Sequence, residues 1–389
     1  MKIVYLAYEA HVDCDFPLIK AWRENGHEVW VFYFESFRRT HFHLYFNLEG
    51  KFSKSGIYST QGYKELEPYT DYIDLSKTYI VYNNCRREWF LPSQLLYLKL
   101  SNRIAKLHPD TVITTAPPKL KLALWRFRKN MMFVIHDPFM HSGEYNKKDE
   151  YYRRMCFRFG KKFVLLNENQ VDGFCQLYHV KRERVLVNKI GVLEATTAHL
   201  KSEVDSRDQS MNILWFGRVS PYKGIDTLCK VMTEVHKIIP ETSLTIAGGG
   251  NFYFDISPYK NLNYIHIIHH FLTTEELACL MNACSFVCLP YTDATQSGVV
   301  MTCYAFKKPV LATNVGGLNN QIDNGKTGML VTPKNGTALA NAIITLLSDE
   351  KLLREMEQNI ENKYYSSSSE YSWSAISKEY IEFAKKTIS

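Results

Sequence analysis

The 389-residue chain has no run approaching the roughly 18 uncharged apolar residues of a membrane-spanning helix. Its N-terminus, MKIVYLAYEAHVDC, carries one lysine and a short apolar run cut off by Glu9, which reads as a first β-strand rather than a signal peptide. No CxxC pair occurs. The nine cysteines are an odd number, and Cys229, Cys279, Cys284, Cys288 and Cys303 sit inside apolar patterns, so reduced core thiols and a cytoplasmic location are expected. No GxGxxG follows the first strand, which argues against a dinucleotide in the first half. No His/Cys/Asp cluster has metal-ligand spacing, so neither a metal nor a resident cofactor is expected. No nucleic-acid recognition motif accompanies the basic charge, and nucleic acid is not an expected partner.

What is present is a globular composition, 46% apolar and 22% charged, long enough for two domains. The net charge of +7 is unevenly shared. Residues 1–190 hold 30 Lys/Arg against 20 Asp/Glu, and the remainder 17 against 20. A basic half beside a slightly acidic one suggests that the first half meets an anionic surface or substrate.

KIVYLAY (2–8) reads as a strand, FPLIKAWRENG as a helix closed by Gly26, and HEVWVFYF as a second strand. Glu9, His11 and Asp13 then fall at the C-terminal end of the first strand, where parallel sheets bind ligands. Residues 35–75 are aromatic and polar without clean periodicity. Strands are expected at 79–84 and 110–116, with a helix from Pro92 to Lys106 between them. PKLKLALWRFRKN (118–130) has five basic residues and no acidic one. It reads as a surface helix packing its apolar stripe on the sheet, or as one lying on an anionic membrane face. A second basic run spans Lys147 to Lys162. MMFVIHDPFMHSGEY (131–145) is a buried strand running into His136 and Asp137, with His141 and Glu144 just beyond. Strands at 161–167 and 185–193 flank another helix. Residues 195–210 are polar and aperiodic and read as a linker.

The second half restarts a βα alternation, implying a parallel sheet covered on both faces. LPYTDATQSGVVMTCYAFKKPVLAT (289–313) reads as strand end, polar loop, helix and strand. The amides of Gln296, Ser297, Gly298 and Val299 would be unpaired at the helix start, a ready anion site. It reads as the seat of a diphosphate, with Asp293 at its edge. FGRVSPYKG sets Arg218 and Lys223 across a proline-containing turn at a strand end, where two cations can clamp a diphosphate from the other side. Residues 362–372 are loose, and WSAISKEYIEFAKKTI is a further helix.

In order, FGRxxxxKG, AGGG, ATQSGV, KPVLATNVGG and NGKTGMLV form a specific combination. It resembles the C-terminal domain of family 4 retaining glycosyltransferases, firmly over about residues 211–348. The resemblance implies a GT-B fold, two Rossmann-like parallel-sheet domains facing a central cleft. It divides the chain into an acceptor domain (1–194), a linker (195–210), a nucleotide-sugar domain (211–365), and a C-terminal helix (366–389) packing back on the first domain. It implies that Arg218, Lys223 and the 296–299 backbone hold the donor diphosphate, that Asp293 contacts the donor sugar, and that Phe271 lies near the base. His136 looks like the acceptor-side histidine, with His11, Asp13 and Glu144 around it.

The implied reaction moves a sugar, with retention, from a nucleoside diphosphate sugar to a glycan, lipid-linked or small-molecule acceptor in glycan biosynthesis. It needs no metal for the leaving group. A peripheral position on the inner membrane face follows from the basic first half. A sugar-nucleotide epimerase or phosphorylase of the same fold is the alternative, and a non-catalytic glycan-binding relative the third reading. Two departures stand out. The family often has two Glu separated by seven residues. Here the first is Asp293, position 301 is Met, and no carboxylate occurs from Ala294 through Ile322, so ribose recognition is unassigned. The Gly-Gly usual in the first loop is replaced by EAHVDC.

Overall fold

The computed structural model describes residues 1–8, 11–36, 45–48, 50–115, 121–136, 138–139, 147–198, 211–294 and 297–387. The sequence-based expectations for Glu9, Asp137, His141, Glu144 and Gln296, and for most of the linker, fall outside them. The chain divides into two compact units, Met1–Gly191 with Glu370–Ser389, and Val192–Ser369.

The first unit is an eight-stranded sheet in the order β3-β4-β2-β1-β5-β6-β7-β8. The strands are β1 (Lys2–Tyr8), β2 (Glu28–Ser36), β3 (Gly56–Ser59), β4 (Thr78–Asn83), β5 (Thr111–Thr114), β6 (Met131–Ile135), β7 (Lys162–Leu165) and β8 (Val185–Val187). All pairings are parallel except β3 with β4. Central β1 is apolar at consecutive positions because both its faces are covered. Val4 and Leu6 join the core beneath Leu96, Leu100 and Ile104 of helix Leu91–Lys106. On the other face Tyr5 meets Trp22 of helix Val12–Glu24, with ring centroids 5.8 Å apart.

Helix Trp373–Lys385 completes that second face. Its Tyr380 ring stands edge-on to Trp22 at 5.8 Å, and the Trp22 indole donates to the Ser377 carbonyl at 3.1 Å. Asn188 donates to the Ile376 carbonyl at 3.1 Å, and Lys189 pairs with Glu370 at 2.7 Å.

The helix expected over 118–130 is not formed. Its described part is a 3-10 helix, Leu122–Phe127. Lys121 and Leu124 are buried and Phe127 is half-buried, a three-residue inward spacing that suits the 3-10 period rather than 3.6. Lys121 is drawn in by Glu88 at 2.8 Å and lies over the rings of Tyr8, Phe34 and Tyr97.

The second unit is a six-stranded, all-parallel sheet, β11-β10-β9-β12-β13-β14. Its strands are β9 (Asn212–Phe216), β10 (Ser243–Ala247), β11 (Ile265–Ile268), β12 (Phe286–Leu289), β13 (Val310–Thr313) and β14 (Gly328–Val331). Helix Thr274–Ala283 starts with a capping box, Thr273 and Glu276 each bonding the other's backbone. Residues 195–198, read from sequence as linker, belong to a turn spanning Glu194–Thr197 and its cap, with Ala195 and Thr196 buried. Helix Glu350–Tyr364 was not singled out by the sequence pattern.

In each sheet the chain winds outward from one central strand and then returns to wind the other way. β1 and β5 therefore flank one reversal of strand order, and β9 and β12 the other. In open parallel sheets ligands lie beyond the strand ends at such points.

Gly316 has φ +49°, and a Cβ there would sit 1.5 Å from the Ala294 carbonyl oxygen. Gly325 has φ +77° with nothing within 4 Å. Gly325→Ala should therefore cost about 1 kcal/mol of left-handed strain alone, and Gly316→Ala clearly more, since backbone must also move. The second unit's calorimetric transition should fall further for Gly316→Ala; equal midpoints would contradict the close approach.

Candidate functional site

The reversal between β9 and β12 is where the second unit gathers its polar groups. After β9 the chain turns through Gly217 (φ +124°) and a 3-10 turn, Pro221–Lys223, closed by Gly224 at φ +64°. A Cβ at Gly224 would lie 2.1 Å from the Pro290 carbonyl oxygen, so only glycine lets this turn rest on the end of β12. The Thr292 amide donates to the Tyr222 carbonyl at 2.7 Å and locks the two loops together. Gly248 (φ +154°) packs its backbone on Gly217 in the same way, and the Val219 amide donates to the Gly249 carbonyl at 2.8 Å.

This packing buries Lys223, which is only 7% exposed. Its amine lies over the rings of Tyr291 (5.2 Å), Trp215 (5.8 Å) and Tyr222 (6.0 Å). A Cβ at Gly217 would come within 2.8 Å of it. Among the described residues no carboxylate pairs with Lys223 or with exposed Arg218. Burial first, then the charge of Arg218, pulls the Lys223 amine down to about 8. The site thus holds two neighbouring cations with no carboxylate partner among the described residues, which suits an anion of at least two charges. Exposed Asp293 follows two residues after Tyr291.

The helix beyond this loop, Gly298–Ala305, starts without a side-chain cap. One expected feature is corrected: the Ser297 amide is not open. Gln321 spans the Ser297 backbone, its carbonyl accepting from the Ser297 amide at 2.9 Å and its own amide donating to the Ser297 carbonyl at 3.1 Å. Gly298 and Val299 keep amides with no hydrogen-bond partner among the described residues. Gln321 lies 24 positions away, and no local pattern marks it. Phe271, after β11, is 54% exposed, and its ring covers Gly249, where a Cβ would meet it at 2.9 Å.

In the first unit the structure brings together two of the expected acceptor-side residues. His11 and His136 stack with ring centroids 3.9 Å apart and planes 11° apart. Burial, then His11, holds the His136 imidazole well below its usual range, so it is neutral near pH 7. Its Nε2 is buried without a partner. Asp13 accepts from the Cys14 amide at 2.9 Å, and burial raises its carboxyl. Sequence reasoning passed over Asp15. It is buried, takes the Tyr5 hydroxyl on Oδ1 at 2.6 Å, and leaves Oδ2 without a partner. Asp15, Cys14, His136 and Lys189 line a cavity with room for about one water. Among the described residues no group of three or more His, Cys, Asp or Glu is arranged to hold a metal ion.

Residues 210–349 match the family described as glycosyl transferases group 1. Two curated relatives are an uncharacterized glycosyltransferase of Methanocaldococcus jannaschii, 28% identical over 38% of this chain and 41% of that protein, and the alpha-D-kanosaminyltransferase of Streptomyces kanamyceticus, 26% identical over 43% and 44%. The chain thus spans less than half the length of each. Among solved structures, HepE of Anabaena in complex with UDP has a TM-score of 0.66 at 18% identity, covering 98% of this chain and 99% of that one. The fold is GT-B.

The lowered pKa of Lys223 carries a stability consequence whose sign is fixed. Between about pH 8 and 10.5 the unfolded chain holds the proton that the folded chain has released, so stability rises with pH across that window. Lys223→Met removes the cost of burying the charge. It should stabilise the second unit by up to about 3 kcal/mol at pH 7, with the advantage over wild type closing towards pH 10. Calorimetric midpoints at the two pH values check this, and a pH-independent difference would refute it.

Proposed function

We propose that this protein, whose residues 210–349 match the group 1 glycosyltransferases, transfers a sugar from a nucleoside diphosphate sugar to a hydroxyl of a glycan or lipid-linked acceptor, retaining the anomeric configuration. The observation that carries the reading is the buried, unneutralised Lys223 beside Arg218 at the β9–β12 reversal. A diphosphate supplies the missing negative charge, and the solved HepE complex with UDP makes uridine diphosphate the first candidate.

In this reading the bond between the anomeric carbon and the diphosphate oxygen breaks, and negative charge grows on the leaving group. Lys223 and Arg218 offset that charge, and the amides of Gly298 and Val299 face it at the helix start. The acceptor hydroxyl bonds to the anomeric carbon and passes its proton to the departing diphosphate, so no protein base is required. With the leaving group held by protein cations, the reading calls for neither metal nor resident cofactor. Asp293 accepts hydroxyls of the transferred sugar, and Phe271 stacks on the base. His136, neutral and paired with His11, orients the acceptor together with Asp13 and Glu144.

Three measurements test it. UDP should raise the thermal midpoint, because a ligand that binds only the folded state stabilises it; no shift with any nucleoside diphosphate would remove the donor site. Lys223→Ala should lower kcat about 100-fold, the cost of one lost charge contact at a developing anion. Unchanged turnover in the folded variant would dismiss the clamp. Asp293→Asn should act mainly on discrimination between donor sugars and leave UDP affinity near wild type. Wild-type sugar selectivity would rule out its role.

A further inference from the structure

One surface of the first unit is explained by neither the sheet nor the donor site. Helix Leu91–Lys106 turns Leu96, Leu100 and Ile104 inward, yet Leu91, Leu95 and Leu98 lie along its outer side at 71%, 49% and 49% exposure. Their spacing of four and three residues makes one stripe. Trp89 and Phe90, just before the helix, extend it as an exposed edge-to-face pair with centroids 4.7 Å apart. The 3-10 helix Leu122–Phe127 lies alongside, joined through the Ser101 hydroxyl to the Ala123 carbonyl (2.8 Å) and Arg126 to Asn102 (3.4 Å). It adds Leu122, 60% exposed. Single exposed leucines are ordinary; a group of them on two bonded elements is not.

The charge around this patch is predominantly basic. From Arg86 to Asn130 the sequence holds ten Lys/Arg and two Asp/Glu. One of the two acids, Glu88, is already paired with Lys121. Arg87 lies over the rings of Trp89 and Phe90 at 5.5 and 5.9 Å, and Lys99 on the helix, Arg126 on the 3-10 helix, and Arg128 and Lys129 just after it are exposed.

We infer that this face docks the protein on an anionic lipid bilayer, the leucines and Trp89 entering the acyl boundary while the basic rim meets the headgroups. Leucine, an aromatic and lysine or arginine at the margin form the composition of an interfacial helix. A second copy fits less well, because a two-fold contact would set the same basic rim against itself. That the docked protein finds its acceptor in the bilayer rests on the transferase reading above; the docking itself does not.

The test is flotation with vesicles of phosphatidylcholine alone and of phosphatidylcholine with 30% phosphatidylglycerol. Wild type should bind the anionic vesicles, ignore the neutral ones, and release at high salt. The triple variant Leu91→Ser, Leu95→Ser, Leu98→Ser should lose at least about tenfold in affinity. Replacing Arg126, Arg128 and Lys129 by Gln should lose about 100-fold, near fivefold for each charge at the surface. All these positions are exposed, so thermal midpoints should stay at wild type.

Absence of binding, equal binding to neutral vesicles, or wild-type binding by either variant would overturn the inference. So would a dimer broken by the leucine variant, or an RNA oligonucleotide that competes with vesicles. The UDP thermal shift is read on the same preparation. A retained shift without vesicle binding refutes docking alone, and vesicle binding without a shift refutes the donor site alone.

Discussion

The second unit is organised around a charged amine held where charge is costly. Lys223 sits over three aromatic rings with Arg218 near by and no carboxylate pairing with it among the described residues. Three glycines make that placement reachable: Gly217 lies against the amine, Gly224 lets the turn rest on the end of β12, and Gly248 lets β10's loop rest on Gly217. The glycines in FGRVSPYKG and AGGG are thus packing residues. They bring backbones so close that a side chain is pressed out of water, and the resulting cost is of the kind that a bound anion would offset.

The second unit was largely legible in the sequence because its elements are local. Each strand is a short apolar run, several helices have their own cap or glycine, and the cations lie within seven residues of a strand end. What local pattern could not show was set at a distance. The Ser297 amide looked open because its partner, Gln321, lies across the β13 loop. The burial of Lys223 was hidden because the sequence does not say that Tyr291 folds over it. Basic residues in a turn are normally solvated, and nothing local marks this one as an exception.

The first unit was harder to read, for two physical reasons. The region after β2 builds its core from rings, with Phe16, Phe46 and Tyr69 in mutual contact at 5.4 to 6.2 Å. The elements described there are the four-residue strand β3 and short 3-10 turns such as Lys64–Tyr69, which leave no helical or alternating period. Over 118–130 the apolar residues suited an α-helix, but burial of Lys121 against Glu88 imposed a tighter turn. His136 was legible from its place at a strand end. Its stack on His11 was not, since the two rings meet only once β1 and β6 share a sheet.

The first unit is also discontinuous along the chain, and this bears on how it is made. The indole of Trp22 is satisfied by a carbonyl 355 residues downstream. At ribosomal speeds of about 5–20 residues per second, roughly 20 to 70 s separate their emergence. Only late in that interval, once Val331 has emerged, does the second unit have all its strands in hand, and until its end the older part of the chain keeps an aromatic face uncovered. The second unit is thereby made as an insertion whose residues all precede the segment that closes its host, and the nascent first unit keeps a groove awaiting Ile376 and Tyr380.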